Sequence, residues 1–268
     1  MIQLSFMLGT AQPARLVAMM MLLILTSPGG LGQSGDGVAR GFHRTETLSY
    51  TIEWRLVTAG AAKLRLSPSG TPEYPSLHSE LDLESAGLVS KLYRVQDKYF
   101  GNYDTGFCAI SAQISANEGR RRRETKIDFD RQHNKAAYLE RDLVKNAVVR
   151  ASEIDTPHCV HDVVGGLLAL RTMRIDVGRS AEMPLSDGKK AANVRVEAQE
   201  REDLKINGTV YKTVRYEAFL FNGVIYPRSA RLFIWLTDDA RKLPVQIRVR
   251  MNFPIGTVTL SLDKIEQS

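Results

Sequence analysis

The run His158-Cys159-Val160-His161-Asp162 gathers the side chains best suited to chemistry. Two imidazoles three positions apart, beside a thiol and a carboxylate, are donor types that hold zinc. A zinc site needs three or four protein ligands, however, and no second Cys/His group accompanies this one. The other histidines, His43, His78 and His133, are scattered. The run therefore reads as packing and capping around a helix start, with Asp162 placed favourably at the helix dipole's positive end. No metal and no other cofactor is expected.

Other chemistries find less support. There is no Gly-x-Ser-x-Gly elbow for a nucleophilic serine. The two cysteines of the chain, Cys108 and Cys159, are expected to pair in an oxidising compartment rather than supply a thiolate. Closing a loop of that length stabilises a fold by about 4 kcal/mol in the chain-entropy model. Asp238-Asp239 is a carboxylate pair, but it lies between two strand patterns, where acidic residues make turns. Arg120-Arg121-Arg122-Arg123 follows the turn signal Asn117-Glu118-Gly119 and reads as the solvated start of a hairpin strand. Its functional alternative is docking to phosphate or carboxylate groups of envelope polymers, which guanidinium forks suit. No catalytic residue is assigned.

The elements that must position these groups are mostly strands. Leu48, Tyr50, Ile52 and Trp54 alternate with Ser49, Thr51, Glu53 and Arg55. The same period recurs at Leu77, Leu81, Leu83; at Tyr93, Val95, Tyr99; at Cys108, Ile110, Ala112, Ile114; and at Thr125, Ile127, Phe129. The C-terminal third repeats it through Val214-Tyr216-Ala218, Leu232-Ile234-Leu236, Val245-Ile247-Val249 and Val258-Leu260-Leu262, and Asn207-Gly208 marks a hairpin turn. Ten or more such strands predict a mainly β fold, an antiparallel curved sheet or open barrel with one face buried. One segment departs from this rhythm. Thr156-Pro157 and the spacing of Val163, Val164, Leu167 and Leu168 predict one inserted helix, over about residues 157–174. Gly165 and Gly166 weaken that helix but let it lie close against the sheet. Tyr50, Trp54, Tyr93, Tyr99 and Trp235 are the candidates for lining a groove on the concave side.

The N-terminus carries Arg15 ahead of an apolar run from Leu16 to Leu25, then Thr26, Ser27, Pro28 and a glycine-rich stretch. That is the layout of a cleavable signal peptide, placed over about 1–32. The apolar run is about half the length of a membrane-spanning helix, so no membrane span is expected after cleavage. Residues 45–268 are expected to form a single β-rich domain, since no linker rich in Pro, Gly or Ser divides them. The net charge of +6 is diffuse, which speaks against a nucleic-acid partner.

Two longer stretches carry a resemblance. Cys159-Val160-His161-Asp162 leading into Gly165-Gly166-Leu167-Leu168-Ala169-Leu170-Arg171 is one. Phe233-Ile234-Trp235-Leu236-Thr237-Asp238-Asp239-Ala240-Arg241-Lys242-Leu243-Pro244-Val245 with Gly256-Thr257-Val258 is the other. Together with Leu48-Ser49-Tyr50, Gly60 and Val95-Gln96-Asp97 they resemble the bacterial family known as domain of unknown function 3108. The resemblance runs from about Thr45 to Glu266. It implies an exported, β-rich domain of the cell envelope in Gram-negative-type bacteria, similar in architecture to the open barrels of periplasmic lipoprotein carriers. It implies no reaction and transfers no site residue.

The resulting expectation is a periplasmic protein, with a secreted or outer-membrane-associated location as the alternative. Its role is a non-catalytic binding or scaffold module for an apolar ligand, a lipid or a cell-wall component. The alternative role is a periplasmic hydrolase of envelope polymers, which needs His161, Asp162, Arg171 and Asp238 to converge in one pocket.

Overall fold

A computed structural model describes residues 44–252 and 256–268, so the expected leader lies outside the described residues. The chain begins with β1 (Glu46–Trp54), β2 (Val57–Gly70) and β3 (Pro75–Ser85), then a short helix α1 (Gly87–Leu92). Five strands follow: β4 (Gln96–Asp104), β5 (Ala109–Glu118), β6 (Arg121–Asp130), β7 (Lys135–Asp142) and β8 (Ala147–Asp155). After α2 (Val163–Leu170) come β9 (Ser180–Ser186), β10 (Ala191–Ile206), β11 (Thr209–Ala218), β12 (Ala230–Thr237), β13 (Pro244–Met251) and β14 (Thr257–Gln267).

The fourteen strands of the described residues join one sheet in the order β8-β7-β6-β5-β4-β3-β2-β1-β14-β13-β12-β11-β10-β9. Every neighbour is a hairpin partner in sequence except β1 and β14, which pair antiparallel and bring the described ends together. The edges are β8 and β9. They are consecutive in the chain yet stand at opposite ends of the sheet, so the connection carrying α2 must cross from one edge to the other. The sheet curls to allow this. Helix α2 touches both β4 and β9, and a Cβ at Gly188, in the β9–β10 turn, would stand 2.9 Å from both Ile127 of β6 and Tyr138 of β7. The edges do not hydrogen-bond to each other, so the result is an open barrel.

One face of the strands supplies the core, as period-two alternation requires. Leu48 and Tyr50, Leu64 and Leu66, Val194 and Val196, and Leu232, Ile234 and Leu236 are all buried. Phe233 and Trp235, on the opposite face of β12, are buried beneath arginines instead. The Arg231 guanidinium lies 4.7 Å from the Phe233 ring centroid and Arg248 lies 5.0 Å from that of Trp235. The inner end of α2 is pinned by a buried ion pair, with Arg171 Nη1 and Nη2 donating to the two Glu46 carboxylate oxygens at 2.5 and 3.0 Å.

Three local features differ from the sequence expectation. The inserted helix is shorter than 157–174, and its N-cap is Asp162 rather than Thr156. Residues 159–161 are held out of the helix: Cys159 is bonded to Cys108, Val160 O accepts from Ala109 N at 2.8 Å, and His161 N donates to Pro184 O at 2.9 Å. Those ties prevent a helix from starting at Pro157. A second helix, α1, also appears. Finally, Ile110 is 39% exposed, because the β4–β5 register shifts between Asn102 and Tyr103 and leaves one residue unpaired. The bulge turns Ala109 and Ala112 inward in its place.

The two helix glycines have a packing reason. A Cβ at Gly165 would lie 2.7 Å from the Tyr103 ring, and one at Gly166 would lie 2.5 Å from Leu185. Alanine at either position would therefore push α2 away from β4 or from β9.

Candidate functional site

The inward faces of β4–β7 change character along the strands. Cross-strand rungs can be followed through the register. Gly101, Ala112, Ile127 and Tyr138 form one rung, and Tyr99, Ile114, Thr125 and Glu140 form the next. Beyond them Ala116 opposes Arg123, which opposes Asp142, and Glu118 opposes Arg121. The stripe that is core beside α2 thus becomes a wall of charge toward the far end. Where α2 meets this wall there is a cavity of about 100 Å³. Its apolar side includes Ile114, Ile127, Val163 and Val164, and its polar side Glu118, Arg121, Arg123 and Glu140.

The charged end is paired. Glu140 Oε1 lies 3.5 Å from Arg121 Nη2 and 3.3 Å from Arg123 Nη1. Arg123 Nη2 reaches Asp142 at 3.3 Å, while Arg121 reaches Glu118 at only 3.9 Å. These carboxylates differ in character. Burial, reinforced by the charge of Asp97, pushes the Glu118 carboxyl up to about 7. Burial raises Asp97 as well, against the hydrogen bond from Asn117 N that favours its ion. Asp142 is held below the usual carboxylate range, chiefly by the backbone N–H of Lys145.

Asp162 closes the inner end of the cavity. It caps α2 by accepting from Gly165 N at 2.6 Å, and it accepts from the hydroxyls of Tyr99 and Tyr103. Tyr103 in turn meets Ser79 Oγ at 3.0 Å. Burial raises the Asp162 carboxyl and holds both phenols protonated. A capping carboxylate with three donors is fully used in holding the helix to β4.

Of the aromatic groove candidates, Tyr99 lines the cavity and the other four do not. Tyr50 is core, its hydroxyl donating to Pro244 O at 2.9 Å. Trp54 sits at the end of β1 with the Arg55 guanidinium 5.5 Å from its ring centroid. Tyr93 closes α1 and packs over Gly119. Trp235 points away from the concave side and donates from Nε1 to Glu202 at 2.7 Å.

The residues of the chemical run also separate. His158 is exposed and its Nδ1 meets Arg131 O at 3.1 Å, whereas buried His161 meets Phe107 O through Nδ1 at 2.7 Å. Among the described residues no three His, Cys, Asp or Glu side chains form a metal-binding group. His161 and Asp162 lie at one end of α2 and Arg171 at the other. Asp238 is exposed and paired with Arg201, and Asp239 organises the β12–β13 turn by accepting from Thr237 Oγ1 and the Arg241 and Lys242 amides. Arg171 Nη2 donates to Arg241 O at 3.3 Å, in the turn that Asp238 opens, so the groups of the hydrolase reading are divided between the two ends of α2.

The residues that sequence reading missed are Arg121 and Arg123. Treated as part of a solvated run, they are half-buried and face inward, whereas Arg120 and Arg122 are exposed. The signal was present in the parity. Counting back by two from Phe129, Ile127 and Thr125 reaches Arg123 and then Arg121.

With this architecture in view, the sequence matches the family described as "Protein of unknown function (DUF3108)" over residues 49–263. The chain belongs to that family. None of the curated proteins matches it. Among solved structures, the chain is similar in fold to a beta-barrel-like protein of the DUF1849 family from Brucella abortus. That likeness has a TM-score of 0.53 and 6% identity, covering 85% of this chain and 99% of that one. A putative exported protein with a YmcC-like fold from Bacteroides fragilis aligns at a TM-score of 0.37 and 7% identity, over 82% of this chain and 95% of that one.

Proposed function

We propose that this DUF3108 protein is exported to the periplasm and acts there as a non-catalytic binding module, holding the apolar part of an envelope-derived ligand. The observation that carries the reading is the cavity between α2 and β4–β7, apolar on one side and charged on the other. Binding sites combine an apolar lining with a few convergent polar groups in this way. At about 100 Å³ it is smaller than typical ligand pockets of roughly 300–1,000 Å³. It therefore suits one end of a molecule or a short chain rather than a whole lipid. The basic, apolar, glycine-rich order of the N-terminus supports export.

Two measurements test this. N-terminal sequencing of the protein recovered from the periplasmic fraction should find a start near residue 33; an intact leader in the cytoplasm would sink the export proposal. Native mass spectrometry of gently purified protein, with organic extraction, should find a small co-purifying amphiphile. A ligand-free protein that also binds no short-chain alkyl compound would defeat the binding reading.

A further inference from the structure

Arg121 and Arg123 stand two residues apart on β6, so both enter the concave side, at the junction of the cavity's apolar and polar halves. Their Nη atoms engage Glu118, Glu140 and Asp142. The Nε–H of each is buried and has no acceptor among the described residues. Buried donors are seldom left unmade, and the guanidinium fork matches the geometry of carboxylate and phosphate groups. We propose that the cavity binds a small amphipathic carboxylate, its head group between Arg121 and Arg123 and its alkyl chain along Ile114, Ile127 and Val164, with one proton taken up at Glu118 on binding. This rests on the binding reading above and names the ligand class for the same site.

The proton follows from charge. Two arginines already face three carboxylates at this end, with Asp97 of β4 behind Glu118, so a further anion raises the excess negative charge of these side chains from one to two, and one proton returns it to one. One acid must take a proton. Glu140 is bridged by both arginines, and Asp142 accepts backbone N–H groups from Val144 and Lys145. Among the described residues Glu118 has one loose partner, at 3.9 Å; it is buried, and burial and Asp97 hold it at about 7. The other charged or titratable groups around the cavity have partners or keep their protons. Tyr138 donates its hydroxyl to Glu140 Oε2 at 3.1 Å, and burial holds the Tyr226 phenol protonated. Tyr93 beside Glu118 has its phenol raised by burial. Lys189 and Asp187, on the β9–β10 turn, pair with each other at 3.5 Å. Asp162 is spent on Tyr99, Tyr103 and Gly165, and exposed Arg150 of β8 opposes Glu140 in register. A phosphate dianion would bring a second negative charge with no second acid so poised. The volume sets the chain length. About 100 Å³ is about two-thirds of the roughly 150 Å³ that holds a benzene ring, so roughly four carbons fill it, and a six-carbon acid keeps its carboxylate end at the charged side.

Isothermal titration of the leader-free protein with hexanoate, hexanol and hexylammonium at pH 6 and pH 8 tests the proposal. Hexanoate should bind at least tenfold more tightly than hexanol at pH 6. It should weaken about tenfold by pH 8, with a buffer-dependent enthalpy that reports close to one proton taken up at pH 8 and little at pH 6, where Glu118 already holds its proton. Glu118→Gln should keep the low-pH affinity at pH 8. Arg123→Met, or Arg121→Met should the first not fold, should lose the preference for hexanoate while still binding hexanol. Equal binding of hexanol and hexanoate, or tighter hexylammonium, would overturn the carboxylate assignment and leave the binding reading standing. Hexanoate binding independent of pH would overturn the role of Glu118. Failure of all three compounds to bind would overturn this inference, and together with the absence of a co-purifying amphiphile it would remove the binding reading as well.

Discussion

The ion pair between Arg171 and Glu46 ties the end of α2 to the start of β1, across the part of the barrel where no strand hydrogen bond links them. Arg171 is 5% exposed and Glu46 7%, and the guanidinium spans both carboxylate oxygens. A pair so buried has a large desolvation cost that its own attraction offsets, so removing one partner is far worse than removing both. Arg171→Met keeps most of the side-chain volume but strands the Glu46 carboxylate. The expected loss is about 3–5 kcal/mol. For a chain of this size that is a Tm decrease of about 6–20 °C. Glu46→Gln strands the guanidinium beside a neutral amide, which still accepts one hydrogen bond, and should cost less. The double variant should recover part of the loss, with a coupling of about 2 kcal/mol. Urea unfolding of all four proteins, disulfide intact, at pH 7 measures the cycle. Single losses under about 1 kcal/mol, or a double variant additive within about 0.5 kcal/mol, would refute the reasoning, because uncoupled sites add to within that margin.

Three further expectations use the same folding assay. Gly165→Ala should destabilise by about 1 kcal/mol: better helix propensity gains about that much, but overpacking against the Tyr103 ring at 2.7 Å costs about 1–3 kcal/mol. A stabilised Gly165→Ala protein would contradict the close approach of α2 to β4. Replacing Cys108 and Cys159 by alanine opens a loop with a sequence separation of 51 and should cost about 4 kcal/mol by chain entropy; a change below about 1 kcal/mol would mean the bridge strains the fold. Glu118 has a folded pKa raised to about 7 from 4.5, so its neutral form is favoured by folding. Its contribution is fully present below pH 4.5 and is lost as pH rises to 7. Glu118→Gln should therefore match the wild type at pH 4 and exceed it in stability at pH 8, and a difference that shrinks as pH rises would reverse this assignment.

Much of the fold was legible because alternation is a local property. Each strand's apolar face follows from its own residues, and Asn207-Gly208 forms the expected turn, with positive φ at both positions. The Cys108–Cys159 bridge was legible from the cysteine number together with the expected export to an oxidising compartment. The helix boundary was not. Thr156-Pro157 is a sound local cap, and only the pairing of residues 159–161 with β5 and β9 overrides it. Ile110 was misplaced for a similar reason, since a bulge depends on the partner strand's register.

The candidate site divides along the same line. Sequence by itself determined the strand-rich architecture, the parity that sends Arg121 and Arg123 to the same side as Ile127, and the glycines that admit a helix at close range. The folded arrangement alone brings the faces of β4–β7 and α2 around a cavity, commits Asp162 to capping rather than leaving it a free acid, and sets His161 and Arg171 at opposite ends of α2. The reason is physical. Periodicity determines which way a side chain points, whereas burial, pairing and pKa depend on what the curl of the sheet brings opposite it.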